Sequence, residues 1–236
     1  MAVKKRLLAE DRKKQILISS MRVFAAKGFD GATTRDLAAA AKVSEALLYK
    51  YFPTKEAIYN DLASLLGSNK GQLFDILSAE PPSAGAFVSA FYALARFILL
   101  GPPGVKKDDS MDRLVGQSLL GDGSFAIAFL ENLFYPFTPY LSKCLEAARK
   151  SGDVKASFDS AERQCIYFHH FLGAIALFSL PKKRVLPQSD SQTLFREVFT
   201  FACRGVGFTD AAIRKHVHFD TLDQQFKKIF KGDTNK

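Results

Sequence analysis

Cysteine and histidine side chains are the first places to look for chemistry in this chain. Cys165 and His169 stand one helical turn apart, a spacing that permits a metal pair. No third ligand lies near them, so both are expected in the core and no metal is expected. No P-loop, dinucleotide fingerprint, zinc motif or Ser-His-Asp signature occurs, which leaves no enzymatic activity and no cofactor to assign. Binding chemistry remains. Residues 1–55 hold 12 Lys or Arg against 5 Asp or Glu, residues 56–210 hold 15 against 16, and the tail from Ala211 holds 6 against 3. The formal charge of +9 is thus concentrated at the start of the chain, as phosphate binding requires.

Inside that basic segment, residues 33–55 read TTRDLAAAAKVSEALLYKYFPTK. Thr33 and Thr34 can cap a helix, Asp36 sits near its positive end, and Leu37 and Ala41 share one face. The small side chains from Ala38 to Ala41 let a second helix cross closely. Lys42-Val43-Ser44 makes a three-residue corner in which Val43 plugs the angle and Ser44 caps the next helix. That helix, over 45–52, buries Leu47 or Leu48 and Phe52 and turns Glu45, Ala46, Tyr49 and Lys50 partly outward. Pro53 stops it, and Thr54 caps another. Ahead of the pair, Ile16, Ser20, Val23, Phe24 and Lys27 trace a helix over 9–27 that ends at Gly28, with Phe29 tucked under the motif.

These residues resemble the signature of the TetR family of bacterial repressors, TT-x-x-[IL]-A, A-x-VS and LY-x-[HY]F-x-[ST]KE. Thr33, Thr34, Leu37, Ala38, Ala41, Val43, Ser44, Leu48, Tyr49, Tyr51, Phe52, Thr54, Lys55 and Glu56 stand in its places. The chain departs at Lys42, where the family often has Gly; a lysine in a left-handed corner costs about 1 kcal/mol.

The resemblance implies an all-α protein in which a three-helix DNA-binding module with a helix-turn-helix joins a larger helical ligand-binding and dimerisation domain. The divisions drawn on this basis are 1–53, 54–210 and a tail at 211–236. By motif position Arg35 reads bases, and Glu45, Ala46 and Leu47 meet base edges from the N-terminal end of the recognition helix. Thr34, Ser44, Tyr49, Tyr51 and Lys55 correspond to backbone-contacting positions, and Lys50 adds a phosphate or base contact. Thr34 and Ser44 have helix capping as their plain alternative and Glu45 a favourable helix dipole, whereas Tyr49 and Lys55, beside a basic recognition helix, have little structural reason to be there. The arm Lys4-Lys5-Arg6 reads either as a groove or backbone contact or as a solvated terminus.

Further along, helices are expected over 54–77, bent near Gly67 and Gly71, and over 84–100 and 111–120. A long helix over 124–150 must kink or break at Pro136 and Pro139. Helices over 157–180 and 189–206 are apolar on much of their circumference, so each must bury two faces; the second face suits the isologous four-helix dimer interface that the family uses. Phe219, Leu222, Phe226, Ile229 and Phe230 mark an amphipathic tail helix. Most of the 22 phenylalanines follow Gln72. They fill a core and, on the family resemblance, line a pocket for an apolar small molecule bounded by the helices from 54 to 180. Phe91, Tyr92, Arg96, Gln117, Phe129, Asn132, Phe134, Tyr135 and His169 are its candidate lining, with His170 beside the last. Arg96 would hold an anionic ligand head, snorkel to solvent or form a salt bridge.

The expected partners are a double-stranded palindromic operator, a second copy of the chain and an apolar effector, with no membrane. Three scattered cysteines and no signal-peptide or membrane-spanning run point to a cytoplasmic protein. A non-enzymatic carrier of apolar ligands is the alternative, but it has no use for the basic first segment.

Overall fold

The computed structural model describes residues 9–68, 76–155, 159–183, 185–186 and 190–231. The arm at Lys4-Lys5-Arg6 and the bend expected at Gly71 lie outside them. Twelve α-helices run through these residues, and the β pairing among them is the isolated bridge between Val154 and Phe208. Contacts divide the chain into two compact units, 1–69 with 109–134 and 70–108 with 135–236. This division differs from the boundary drawn at 53, because helices distant in sequence pack beside the first three.

The first unit contains α1 (Ala9–Gly31), α2 (Thr34–Ala41), α3 (Glu45–Tyr51), α4 (Lys55–Ser68), α6 (Ser110–Leu120) and α7 (Ser124–Leu133). Regular helix in α1 ends at Gly28, whose φ of 75° is left-handed and suits a residue without Cβ. Phe29 then turns inward against Phe24 and Tyr59. Ile16, Leu17, Phe24, Leu37, Ala41, Leu48, Phe52, Ile58 and Leu62 form the buried centre, which Leu114 of α6 and Phe125 of α7 complete. At the α6–α7 turn the Ser118 hydroxyl accepts from the Ala126 amide at 3.1 Å, and Asp122 accepts from the Ser124 amide at 2.9 Å. The buried Ser118 hydroxyl is thereby paired, while the Asp122–Ser124 bond lies on the exposed side of the turn.

The second unit contains α5 (Ala84–Leu100), α8 (Thr138–Lys150), α9 (Ala161–Phe178), α10 (Ser191–Val206), α11 (Asp210–His216) and α12 (Phe219–Lys231). The expected break in the helix over 124–150 is present: a 3-10 turn at Tyr135–Phe137 contains Pro136, and Pro139 lies in the first turn of α8, where its missing N–H costs nothing. Ser83, Ser160, Asp190 and Thr209 cap α5, α9, α10 and α11 through their side-chain oxygens. The core is aromatic. Phe91 meets Phe168 edge to face at 4.2 Å, and Tyr92 meets Phe195 and Phe199 in the same manner at 5.2 and 5.3 Å. Packing within the unit thus accounts for much of the phenylalanine enrichment.

The tail forms two helices rather than one. Leu222 and Phe226 of α12 are buried, and α12 packs on α5. Arg96 Nε donates to Asp223 Oδ1 at 3.0 Å, and its guanidinium lies over the Phe195 and Phe226 rings. Of the three alternatives open for Arg96, the salt bridge is realised.

Candidate nucleic-acid interface

Thr33 builds the start of α2. Its hydroxyl accepts from the Asp36 amide at 3.2 Å while the Asp36 carboxylate accepts from the Thr33 amide at 3.1 Å, a reciprocal capping box. Thr33, not Thr34, is therefore the cap. Lys27 Nζ approaches Asp36 Oδ1 at 2.7 Å, and this ammonium, with the Thr33 donors, holds the Asp36 carboxyl down to about 2. The acid at the helix start is thus neutralised locally and does not repel a phosphate brought there.

Lys42 closes α2 in the left-handed conformation, φ 56° and ψ 43°, the position where the family signature often has Gly. The Val43 amide donates to the Ala38 carbonyl at 3.0 Å across this corner. Ser44 caps α3 by accepting from the Leu47 amide at 3.1 Å. Leu48 and Phe52 are buried, so the choice between Leu47 and Leu48 falls on Leu48, with Leu47 half-buried. Packing Leu48 inward turns Glu45, Ala46, Tyr49 and Lys50 to solvent as one face. Tyr51 is half-buried against the core of the unit.

A short polar relay links the two helices. The Tyr49 hydroxyl donates to Thr34 Oγ1 at 3.3 Å, and Thr34 Oγ1 donates to Glu45 Oε2 at 3.2 Å. Thr34, Glu45 and Tyr49, named separately from the sequence, thus form one constellation across α2 and α3. Arg35, Lys42 and Lys50 are exposed around it. Other cations of the basic segment are occupied: Lys13 pairs with Asp61 at 2.8 Å, Lys27 with Asp36, and Arg12 donates to Gln15 at 2.8 Å.

Lys55 has the structural role that the sequence did not suggest. Its ammonium donates to the Phe29 carbonyl at 2.8 Å and to the Ala32 carbonyl at 3.2 Å, and it lies 4.3 Å from the centre of the Phe29 ring. It ties the start of α4 to the α1–α2 link. Lys55 is thus part of the scaffold.

The candidate ligand residues divide between the two units. Gln117, Phe129, Asn132 and Phe134 belong to the first, where Gln117 donates to the Ala25 carbonyl at 3.2 Å, Phe129 packs on the core and Phe134 is buried. Phe91, Tyr92, Arg96, Tyr135 and His169 belong to the second. There Phe91 and Tyr92 are core, Arg96 is paired and Tyr135 is exposed. His169 is buried, and burial followed by the neighbouring His170 lowers its imidazole to about 3, so it is neutral. Burial raises the Cys165 thiol to about 12, which suits the core role expected of it. Among the described residues no group of three or more His, Cys, Asp or Glu side chains is placed to hold a metal.

Phe201 and Gly205 of α10 were not singled out from the sequence. The apolar stripe of α10, Phe195, Val198, Phe199, Ala202 and Val206, is buried as its spacing predicts, and Phe201 and Gly205 fall off that stripe. Their position off the period was the available signal.

A capped helix pair with a left-handed corner and an outward polar face, supported by α1 and α4, is a helix-turn-helix DNA-binding domain. Residues 16–62 match the profile described as "Bacterial regulatory proteins, tetR family", so this segment is similar to the DNA-binding domain of that family of transcriptional regulators. The uncharacterized HTH-type transcriptional regulator YvkB of Bacillus subtilis (strain 168) is 34% identical over 62 residues. That match covers 26% of this chain and a third of the length of the relative, 33%. Among solved structures, a bacterial regulatory protein in the tetR family from Rhodococcus RHA1 is similar at 21% identity and a TM-score of 0.61, over 84% of this chain and 98% of that one. RolR in complex with resorcinol is similar at 17% identity and a TM-score of 0.51, over 87% and 92% of the two chains. At these identities the likeness is one of fold. No described helix is long and apolar enough to cross a membrane.

Proposed function

We propose that the protein is a homodimeric transcriptional repressor that binds a palindromic operator and is released from it by an apolar small molecule. The observation that carries the DNA reading is the outward face of α3, where Glu45, Ala46, Tyr49 and Lys50 stand free of the core beside an exposed Arg35. Arg35 is suited to guanine O6 and N7, Glu45 to a cytosine amine, and Ala46 and Leu47 to a thymine methyl. Thr34, Ser44, Tyr49, Lys50 and Tyr51 fix the register on phosphates, and Lys55 supports them by holding the α1–α2 link in place.

One head makes few contacts, so two heads on half-sites about 34 Å apart are needed for useful affinity. The dimer reading is supported by α9 and α10, on which Tyr167, Phe178 and Phe201 are more than half exposed. Apolar rings grouped in this way mark an interaction surface.

Effector release is supported by a protein of the same fold that is known in complex with resorcinol. A 100-fold loss of operator affinity needs a coupling of about 2.7 kcal/mol between effector and operator. Cytoplasmic residence belongs to the same proposal, as all three cysteines are free and buried.

Selection from random-sequence duplexes with the purified full-length protein tests this function. Enrichment of a palindrome is the expected result, and equal weak binding to all sequences would contradict it. With the operator in hand, a screen of small aromatic compounds should yield one that releases it; a screen in which none alters operator affinity counts against the effector.

A further inference from the structure

The outer side of α9 and α10 carries a cavity of about 160 Å³ lined by Gln164, Tyr167, Phe168, Phe171, Ala202 and Gly205, with Val206 at its end. Its main polar group is already satisfied: the Gln164 amide donates to the Val206 carbonyl, and its oxygen accepts from Arg149 at 2.7 Å. What the cavity offers a visitor is therefore apolar. An apolar cavity of about 150 Å³ is of the size that takes a benzene ring.

Gly173 is an interior position of α9, where glycine weakens a helix relative to alanine, and Gly205 lies in the last turn of α10. Neither is required within the protomer, since a Cβ at either position would meet nothing within 4 Å. The ring of Phe201, one turn before Gly205, is 64% exposed and lies 5.5 Å from the ring of Phe171 on the cavity wall. One face thus presents a protruding phenyl ring beside a hole of phenyl size.

We infer that this cavity is a socket for the Phe201 ring of a second copy of the chain, and that Gly205 is bare so that the partner helix can close on it. The inference rests on the proposed homodimer and names the contact that holds it. A two-fold axis passing between ring and socket lets each protomer fill the socket of the other, because an isologous interface pairs residue i with j and j with i. Truncation of a centrally buried aromatic anchor carries the largest losses in such interfaces.

Sedimentation equilibrium on the full-length protein tests this with two variants. Phe201→Ala removes the ring, and Gly205→Leu fills the socket while placing its Cβ in open space, so both should fold with wild-type circular dichroism. Each is expected to raise the dimer dissociation constant by roughly 30-fold or more. An equimolar mixture of the two should dimerise more tightly than either alone, because the heterodimer keeps one ring in one open socket. Wild-type dimerisation by both variants, or a mixture no tighter than its components, overturns the socket and leaves the homodimer standing. A wild type that stays monomeric overturns both. If phenol binds the wild type without changing its oligomeric state and Gly205→Leu abolishes that binding, the cavity is a ligand site and the socket falls.

Discussion

On α2 and α3 the exposed side chains include Arg35, Lys42, Tyr49 and Lys50, whereas on α9 and α10 they include the aromatic rings of Tyr167, Phe178 and Phe201 beside charged groups such as Arg163 and Arg196. On the proposed function, the contrast follows from what each surface has to meet. A phosphate backbone is recognised by charge and hydroxyl groups held at a helix surface, and its contribution falls with salt. A second copy of the chain is recognised by apolar area withdrawn from water, which salt hardly weakens. Residue type alone does not separate either set from the scaffold. Lys50 is exposed while Lys55, five residues on, holds two carbonyls; Arg35 is exposed while Arg96 is paired to Asp223; Phe201 is exposed while Phe199 is buried.

The largest effect that would sharpen this contrast is at Arg96. Its side chain and that of Asp223 are 12% and 22% exposed, so removing one partner strands a charge at low dielectric. Arg96→Met should lower the stability of the second unit by about 3 kcal/mol in urea denaturation, and Asp223→Leu added to it should restore most of the loss. Operator affinity per folded molecule should be unchanged.

A smaller loss is expected at Lys55. Lys55→Met leaves the Phe29 and Ala32 carbonyls without their donor and should cost about 1 to 2 kcal/mol of stability, read by chemical denaturation. A variant that keeps full stability yet loses DNA binding would return Lys55 to the contact set.

The smallest effect is the pH dependence of Asp36. Its carboxyl is held at about 2, below its ordinary 3.8, by Lys27 first and then by Thr33. A lowered folded-state value means that the contribution is fully present above about pH 4 and is lost as pH falls through about 2. Stability should therefore decline across that window in the wild type, and more shallowly in Asp36→Asn, when thermal unfolding is followed by circular dichroism.

Local features were legible in the sequence because they depend on neighbours a few residues away. The span Ala84–Leu100, the break at Pro136, the Ser44 cap and the strained corner at Lys42 all follow from period, cap and turn chemistry. Partners far along the chain were not legible. Asp223 lies 127 residues from Arg96, and the carbonyls that receive Lys55 are backbone groups with no signature of their own. The grouping of 109–134 with the first 69 residues has the same origin, since packing between distant helices leaves no local trace. Within the recognition helix the outward face was legible, while the Tyr49–Thr34–Glu45 relay required two helices to meet.

The most direct test of the claim that groups left over from folding bind the operator is a salt titration of wild type, Lys50→Ala and Lys55→Met on one selected duplex. Lys50→Ala should keep wild-type stability to within about 0.5 kcal/mol and reduce the slope of log affinity against log salt by about one. Lys55→Met should keep the wild-type slope among its folded molecules. An unchanged slope in Lys50→Ala, or a loss of about one in Lys55→Met, would contradict the account.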